Sequence, residues 1–592
     1  MENKGLVNFL PIIIEILLIS FCSYCLWLKV LLPGIYYATA VALALIISLQ
    51  FVRKTNTSFL VLQIVLFGLF LRNIFNLSAN YGIIPFDDPN WDLGVVKTFL
   101  NDGSFVRIVT QLSSIRLLEW YSSWPVLHSL ASVLSMVSGI DAFNIFLFMP
   151  SLISVASFGF IYLLVERVRK SLSLDWRVTA IGVLIYVTAA ESLFWPMQFV
   201  HQNLGLFFFV IVFYAFYMVV SERSRIFAAI GIFFALVLVP THSFTPVVAI
   251  SFFVLFSLIL LIGNRLGGTK FGNRFLGFRL SFAGLFFSTG LVLLAFLSLW
   301  WDSYGQQAYS YLASGFSRFS QIILGIRQFE ALPSSASYPS VLKPPFFVGL
   351  LNLRDILVYV LPIIIGLYLI FFKIRHSPTK FYILYSVLTF GGLLVLNFFA
   401  FRVEPFRIIM LALPVFVILG AISYSEIAKR WRRVKKFLVV FISVTLIVSS
   451  MIGLWGHSFA PVHLYTPSIS FDEVGERNMD VMRVNDFFSE LPIENYSIIL
   501  ADDVNPLLTL LDPGDYKLIR QLDGDGVTKL EGNSTILVCA FKNLLLYSYY
   551  ARTFSLVDTL QKAKDLQTEL FLQLDNYTRI YDDGKYFFWV VN

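Results

Sequence analysis

Apolar runs of roughly twenty residues recur along most of this chain, and that is the length a helix needs to cross the hydrocarbon layer of a membrane. They fall near residues 9–31, 34–52, 58–78, 144–165, 178–197, 202–220, 226–240, 244–262, 280–300, 352–372, 381–400, 405–424 and 437–456. In lipid every backbone amide must be satisfied within its own segment, which leaves helices or a closed barrel. Runs of this length predict a mainly α fold, a polytopic transmembrane helix bundle of about thirteen spans. Composition agrees: 14% of the 592 residues are charged and 57% are hydrophobic, whereas a soluble domain is about 25% charged.

The net charge of +7 does not point to nucleic acid, because the basic residues sit in short loops between apolar runs. Arg53–Lys54, Arg167 to Arg177, Arg223/Arg225, Arg265 to Arg279, Lys373 to Lys380 and Lys429 to Lys436 occupy alternate loops. With these loops in the cytoplasm, the positive-inside rule gives a multi-pass protein of the cell membrane. Its N-terminus is then cytoplasmic and its C-terminus extracytoplasmic. Residues 125–140 are apolar, but counting them as a span would reverse every later loop. They read instead as an interfacial or partly inserted helix on the outer side. Residues 1–456 thus form a transmembrane domain with outer loops at 79–143 and 301–351.

Residues 457–592 read as a soluble extracytoplasmic α/β domain. SIILA (497–501) and STILVCAF (534–541) look like buried strands. Asp583–Gly584 between two β-rich runs signals a hairpin. Sequons at Asn495, Asn533 and Asn576 fit an outer location, although such triplets are frequent by chance.

Chemistry-bearing residues gather on that same predicted side. Asp87 and Asp88 are adjacent carboxylates just after a span, and Pro89 biases Asp88 toward an extended backbone. One of them can serve as a general base while the other orients an acceptor or binds a cation. The pair can equally be an Asx-turn that starts a helix, with Asp88 and Asp92 as its N-terminal charges. His128, His201 and His242 map to the outer side, where helix ends at an interface also favour histidine. Arg402 and Arg407 are outer arginines in FRVEPFR, and arginine grips phosphate with a planar fork of donors. Glu404 can pair with one of them, and snorkelling is the alternative reading of both. Glu191 and Asn397 lie in apolar surroundings near the outer side, where ionisable and polar groups usually face a cavity, and Arg72 and Asn73, near the outer end of the third run, line the same region.

Asp87–Asp88 at the start of the first large outer loop, the later WPVLH (Trp124 to His128), the many spans and the terminal domain together resemble the GT-C fold membrane glycosyltransferases. The acidic pair follows three apolar runs here, whereas in that family it commonly follows the first. The resemblance implies a sugar taken from a polyprenyl-phosphate or diphosphate carrier and passed to a protein or glycan acceptor. It implies that Asp87 acts as base or acceptor-orienting group. Asp88 assists it or, with Asp87, holds a divalent cation such as Mg or Mn. Arg402 or Arg407 meets the lipid phosphate, and Glu191, His128, His201, His242 and Glu404 line the substrate site. Two other readings stand beside it: an oligosaccharyltransferase-like transfer of a whole glycan to protein, and a non-enzymatic transporter or envelope protein.

Overall fold

The computed structural model describes residues 3–27, 33–52, 56–78, 87–103, 124–189, 199–265, 280–304, 317, 320–321, 360–374, 377–396 and 405–430, together with five strands between 496 and 591. It divides into two units: Met1–Ser78 with Phe148–Ile469, and Ala79–Leu147 with Ser470–Asn592.

The first unit is a helix bundle. Its helices are α1 (Asn3–Trp27), α2 (Pro33–Val52), α3 (Thr57–Ser78), α6 (Ala142–Ser171, from Phe148 on), α7 (Arg177–Thr188), α8 (His201–Glu222), α9 (Arg225–Leu238), α10 (Thr245–Arg265), α11 (Leu280–Tyr304), α12 (Leu361–Phe372), α13 (Pro378–Leu396) and α14 (Pro405–Arg430). Twelve of the thirteen apolar runs coincide with these helices; the last, 437–456, lies outside the described residues. Six of them, α6, α8, α10, α11, α13 and α14, are long and apolar enough to cross a membrane by length and composition, and several others are apolar but shorter. The chain is therefore a multi-pass membrane protein.

Packing sorts the helices. The apolar stretch of α14 is 89% buried and that of α8 is 83% buried, against 33% for α11. So α8 and α14 form the interior and α11 lies at the periphery. Aromatic rings fill the space between α8, α10, α11 and α13. Phe256 stacks on Phe286 at 4.6 Å, and Phe213 meets Tyr382 at 5.1 Å. The Tyr382 hydroxyl, fully buried, donates to the Phe213 carbonyl at 2.9 Å, which satisfies it without water. Between α1 and α3, Gln63 Nε2 donates to the buried Glu15 carboxyl at 3.2 Å.

Among the described residues, three of the basic loops, 167–177, 223–225 and 373–380, meet at one end of this bundle. Ser171 and Thr379 hydroxyls are 2.7 Å apart, with Tyr217 3.2 Å from Thr379. Arg167 pairs with Glu222 at 2.8 Å. Lys380 Nζ donates to the Phe371 and Ile374 carbonyls at 3.2 and 2.9 Å, a cation placed on the carbonyl-rich terminus of α12.

In the second unit, α4 (Asp87–Asp102) packs against α5 (Pro125–Ser138). Pro125 suits the first position of α5, where no amide is needed. Gly139 ends it in the left-handed region at φ 69°, its N–H donating to the Ser135 carbonyl at 2.9 Å. One face of α5, with Leu127, His128, Ala131 and Ser132, is buried, while Val133, Met136, Val137 and Ile140 are exposed.

The C-terminal part of this unit carries a five-stranded mixed sheet: β1 (Tyr496–Leu500), β2 (Lys517–Gln521), β3 (Thr535–Phe541), β4 (Thr578–Asp582) and β5 (Tyr586–Val591), in the order β2-β1-β3-β5-β4. β1 is parallel to both β2 and β3. β5 runs antiparallel to β3 and to β4, the latter pair being the hairpin expected at Asp583–Gly584. β2 was not expected from the sequence. The helical half of the α/β expectation lies outside the described residues.

Candidate functional site

At the bundle end opposite the basic loops, the N-termini of three mutually packed helices come together: α8 at His201, α10 at Thr245 and α14 at Pro405. His201 is the first residue of α8, and its Nδ1–H donates to the Thr241 carbonyl at 3.1 Å. The carbonyl can only accept, so a neutral His201 carries its lone pair on Nε2. His242 lies in the turn between α9 and α10, buried against α8. Its Nδ1 accepts from the Thr245 amide at 3.2 Å and from the Thr245 hydroxyl at 2.7 Å. A backbone N–H is always the donor, so His242 holds its proton on Nε2. Gly205, one turn into α8, makes this approach possible: a Cβ there would lie 2.9 Å from Thr245 Oγ1 and 3.2 Å from His242 Cβ.

Arg407 sits in the first turn of α14, close enough to act electrostatically on His242. A cation at a helix N-terminus stands against the helix dipole. Burial first, then the Arg407 guanidinium and His201, push the pKa of His242 well below its ordinary 6.5. In the unfolded chain His242 takes up a proton as the pH drops through about 6.5; in the folded chain it does so only at lower pH. Its contribution to stability is thus complete above about pH 6.5 and is lost as the pH falls from there toward the depressed folded value. Thermal unfolding in detergent should therefore show a drop in melting temperature between pH 7.5 and 5.5 that is smaller in His242→Gln. Equal drops would contradict this environment for His242.

In the second unit, His128 Nε2 and Asp92 Oδ1 are 2.8 Å apart, and both side chains are fully buried. Asp92 was expected only as a charge near a helix start. Its partner is 36 positions away, and no local spacing rule reaches that far; the signal in the sequence is an acid directly before the apolar Leu93, Val95 and Val96. Asp92 and His128 offer a carboxylate oxygen and an imidazole nitrogen of the kind that hold a divalent cation.

The structure brings together His201, His242 and Arg407 among the expected residues, and places His128 on Asp92. The backbone of Asp87 and Asp88 opens α4, as the helix-start alternative expected; their side chains lie outside the described residues. Glu191, Arg402 and Glu404 are also outside them.

No protein-family model matches the sequence, and no curated protein matches it. The likeness is in three dimensions. ArnT from Cupriavidus metallidurans, solved bound to undecaprenyl phosphate, superposes with a TM-score of 0.50 at 10% identity, over 90% of this chain and 97% of that one. The arabinofuranosyltransferase AftD from Mycobacteria gives a TM-score of 0.39 at 14% identity, over 74% of this chain and 30% of that one. With ArnT matched over nearly its whole length, this chain has the GT-C fold of polytopic membrane glycosyltransferases.

Proposed function

We propose that the chain is a membrane glycosyltransferase that takes a sugar from a polyprenyl-phosphate carrier and passes it to an acceptor on the extracytoplasmic side. The observation that carries this reading is the meeting of three helix N-termini with Arg407. Helix N-termini present amide donors and the positive ends of their dipoles, which suit phosphate. Arg407 adds a fork of charged donors. Such a group stabilises the negative charge that develops on a departing lipid phosphate. ArnT, of the same fold, was solved with such a lipid.

The acceptor hydroxyl oxygen forms a bond to the anomeric carbon. The bond from that carbon to the carrier's phosphate oxygen breaks, and its electron pair leaves on the phosphate. The acceptor proton passes to Asp87, with Asp88 beside it. His242, neutral with its proton on Nε2, donates a hydrogen bond without adding charge. By the family pattern, His201, Glu191, Arg402 and Glu404 are assigned to binding of the substrate. A divalent cation, where bound, supplies further charge neutralisation; Asp92 and His128 fit such a role by donor chemistry, and Asp87 and Asp88 by the family pattern.

The reading requires the imidazole end of the bundle to face outward. Single cysteines at Ser243 and at Lys373, with Cys22, Cys25 and Cys539 replaced by Ser, test this. An impermeant thiol reagent on intact cells should label Ser243→Cys and spare Lys373→Cys. The reverse pattern would overturn the proposal.

A further inference from the structure

The position of Arg72 points to a second anion site. Arg72 is 1% exposed, in α3, and none of its three guanidinium nitrogens has a hydrogen-bond acceptor among the described residues. Its charged carbon lies 4.3 Å above the Phe158 ring of α6 and 6.0 Å from the Tyr186 ring of α7. Cation–π contacts give about 1–2 kcal/mol each. Removing a guanidinium from water costs several kcal/mol even after relaxation. Two rings therefore leave most of that cost unmet, and an anion is the group that offsets it.

Polar groups of α3 and α6 lie near Arg72. Asn73 Nδ2 donates to the Leu69 carbonyl at 2.8 Å, and its carbonyl oxygen accepts from Ser151 of α6. Both are thereby engaged with groups other than Arg72. Ser154 lies on the α6 face between Ser151 and Phe158, fully buried, and its hydroxyl has no hydrogen-bond partner among the described residues. Gly68, one turn before Arg72 on the same face of α3, closes the space beneath. A Cβ there would come within 2.8 Å of Val187 and 2.9 Å of Phe158. Arg72 lies six residues, about 9 Å along the axis, from the Ser78 end of α3. A lipid headgroup reaches that depth while its chains stay in the hydrocarbon.

We propose that Arg72 and Ser154 hold the phosphate of a membrane lipid between α3 and α6, distinct from the phosphate site at Arg407. This does not depend on sugar transfer. The same chemistry is shared by a polyprenyl phosphate, a phospholipid such as phosphatidic acid, and inorganic phosphate, so each is offered separately. The experiment is native mass spectrometry of the delipidated full-length protein after incubation with each. Wild type should retain one more lipid phosphate per molecule than Arg72→Gln, and Ser154→Ala should weaken that retention by about 10-fold. Retention of polyprenyl phosphate or of phosphatidic acid supports the site and identifies its source. Retention of inorganic phosphate alone, or equal retention by wild type and both variants, overturns it. Ser154→Ala, a small change, keeps the test open if Arg72→Gln fails to fold. A protein that shows the Arg72-dependent lipid but transfers no sugar would sink the transferase reading and leave this one standing.

Discussion

Asp87→Asn should lower sugar transfer by about 100- to 10,000-fold, the usual contribution of a general base, while leaving the melting temperature unchanged. The contrast follows from where Asp87 stands. It is the first residue of α4, where a side-chain oxygen can accept from an orphaned amide. Asn serves that position as well as Asp does, so the helix start survives the change. What Asn cannot do at neutral pH is take a proton from an acceptor hydroxyl. Transfer assayed in nanodiscs beside thermal unfolding separates the two effects. Full activity in Asp87→Asn would remove the base from the mechanism, and equal loss of activity and of stability would make Asp87 a structural cap.

Asp92→Ala should have the largest effect on stability, lowering it by about 1–3 kcal/mol, the cost of leaving the buried hydrogen-bond partner of a side chain unsatisfied. Asp92 and His128 are both fully buried at 2.8 Å, and Ala leaves the imidazole without its carboxylate in a site closed to water. Asp92→Asn keeps a hydrogen-bonding oxygen beside His128 Nε2 and should lose much less. Limited proteolysis between α4 and α5, followed against denaturant, reads this directly. Equal behaviour of the two variants would mean that the pair carries no such energy.

The apolar runs made the bundle legible because a spanning helix is dictated by length and hydrophobicity, both local properties. The basic loops made its two ends legible for the same reason. His201, His242 and Arg407 could be assigned to one end because each adjoins the end of an apolar run, so alternation alone places them together. Their geometry could not be read. The His201–Thr241 and His242–Thr245 contacts depend on how α8, α9 and α10 pack, and on Gly205 allowing it. Asp92 was missed for a related reason, since pairing across 36 residues is a tertiary fact. The short α7 shows a limit of another kind. An apolar run was read over 178–197, yet the described helix ends at Thr188, with Ala189 already extended at ψ 135°. Hydropathy reports what suits lipid; it does not report where helical backbone stops.

The central claim is that a sugar leaves a lipid phosphate at this bundle. Purified protein in nanodiscs, supplied with a panel of radiolabelled polyprenyl-phosphate sugars and a mixture of glycan and peptide acceptors, tests it most directly. The account predicts that label moves from at least one carrier to a product, and that Arg407→Gln slows this by about 100- to 1,000-fold, as expected for losing one donor to a developing charge. Label that stays on every carrier, or a transfer rate indifferent to Arg407→Gln, would contradict it.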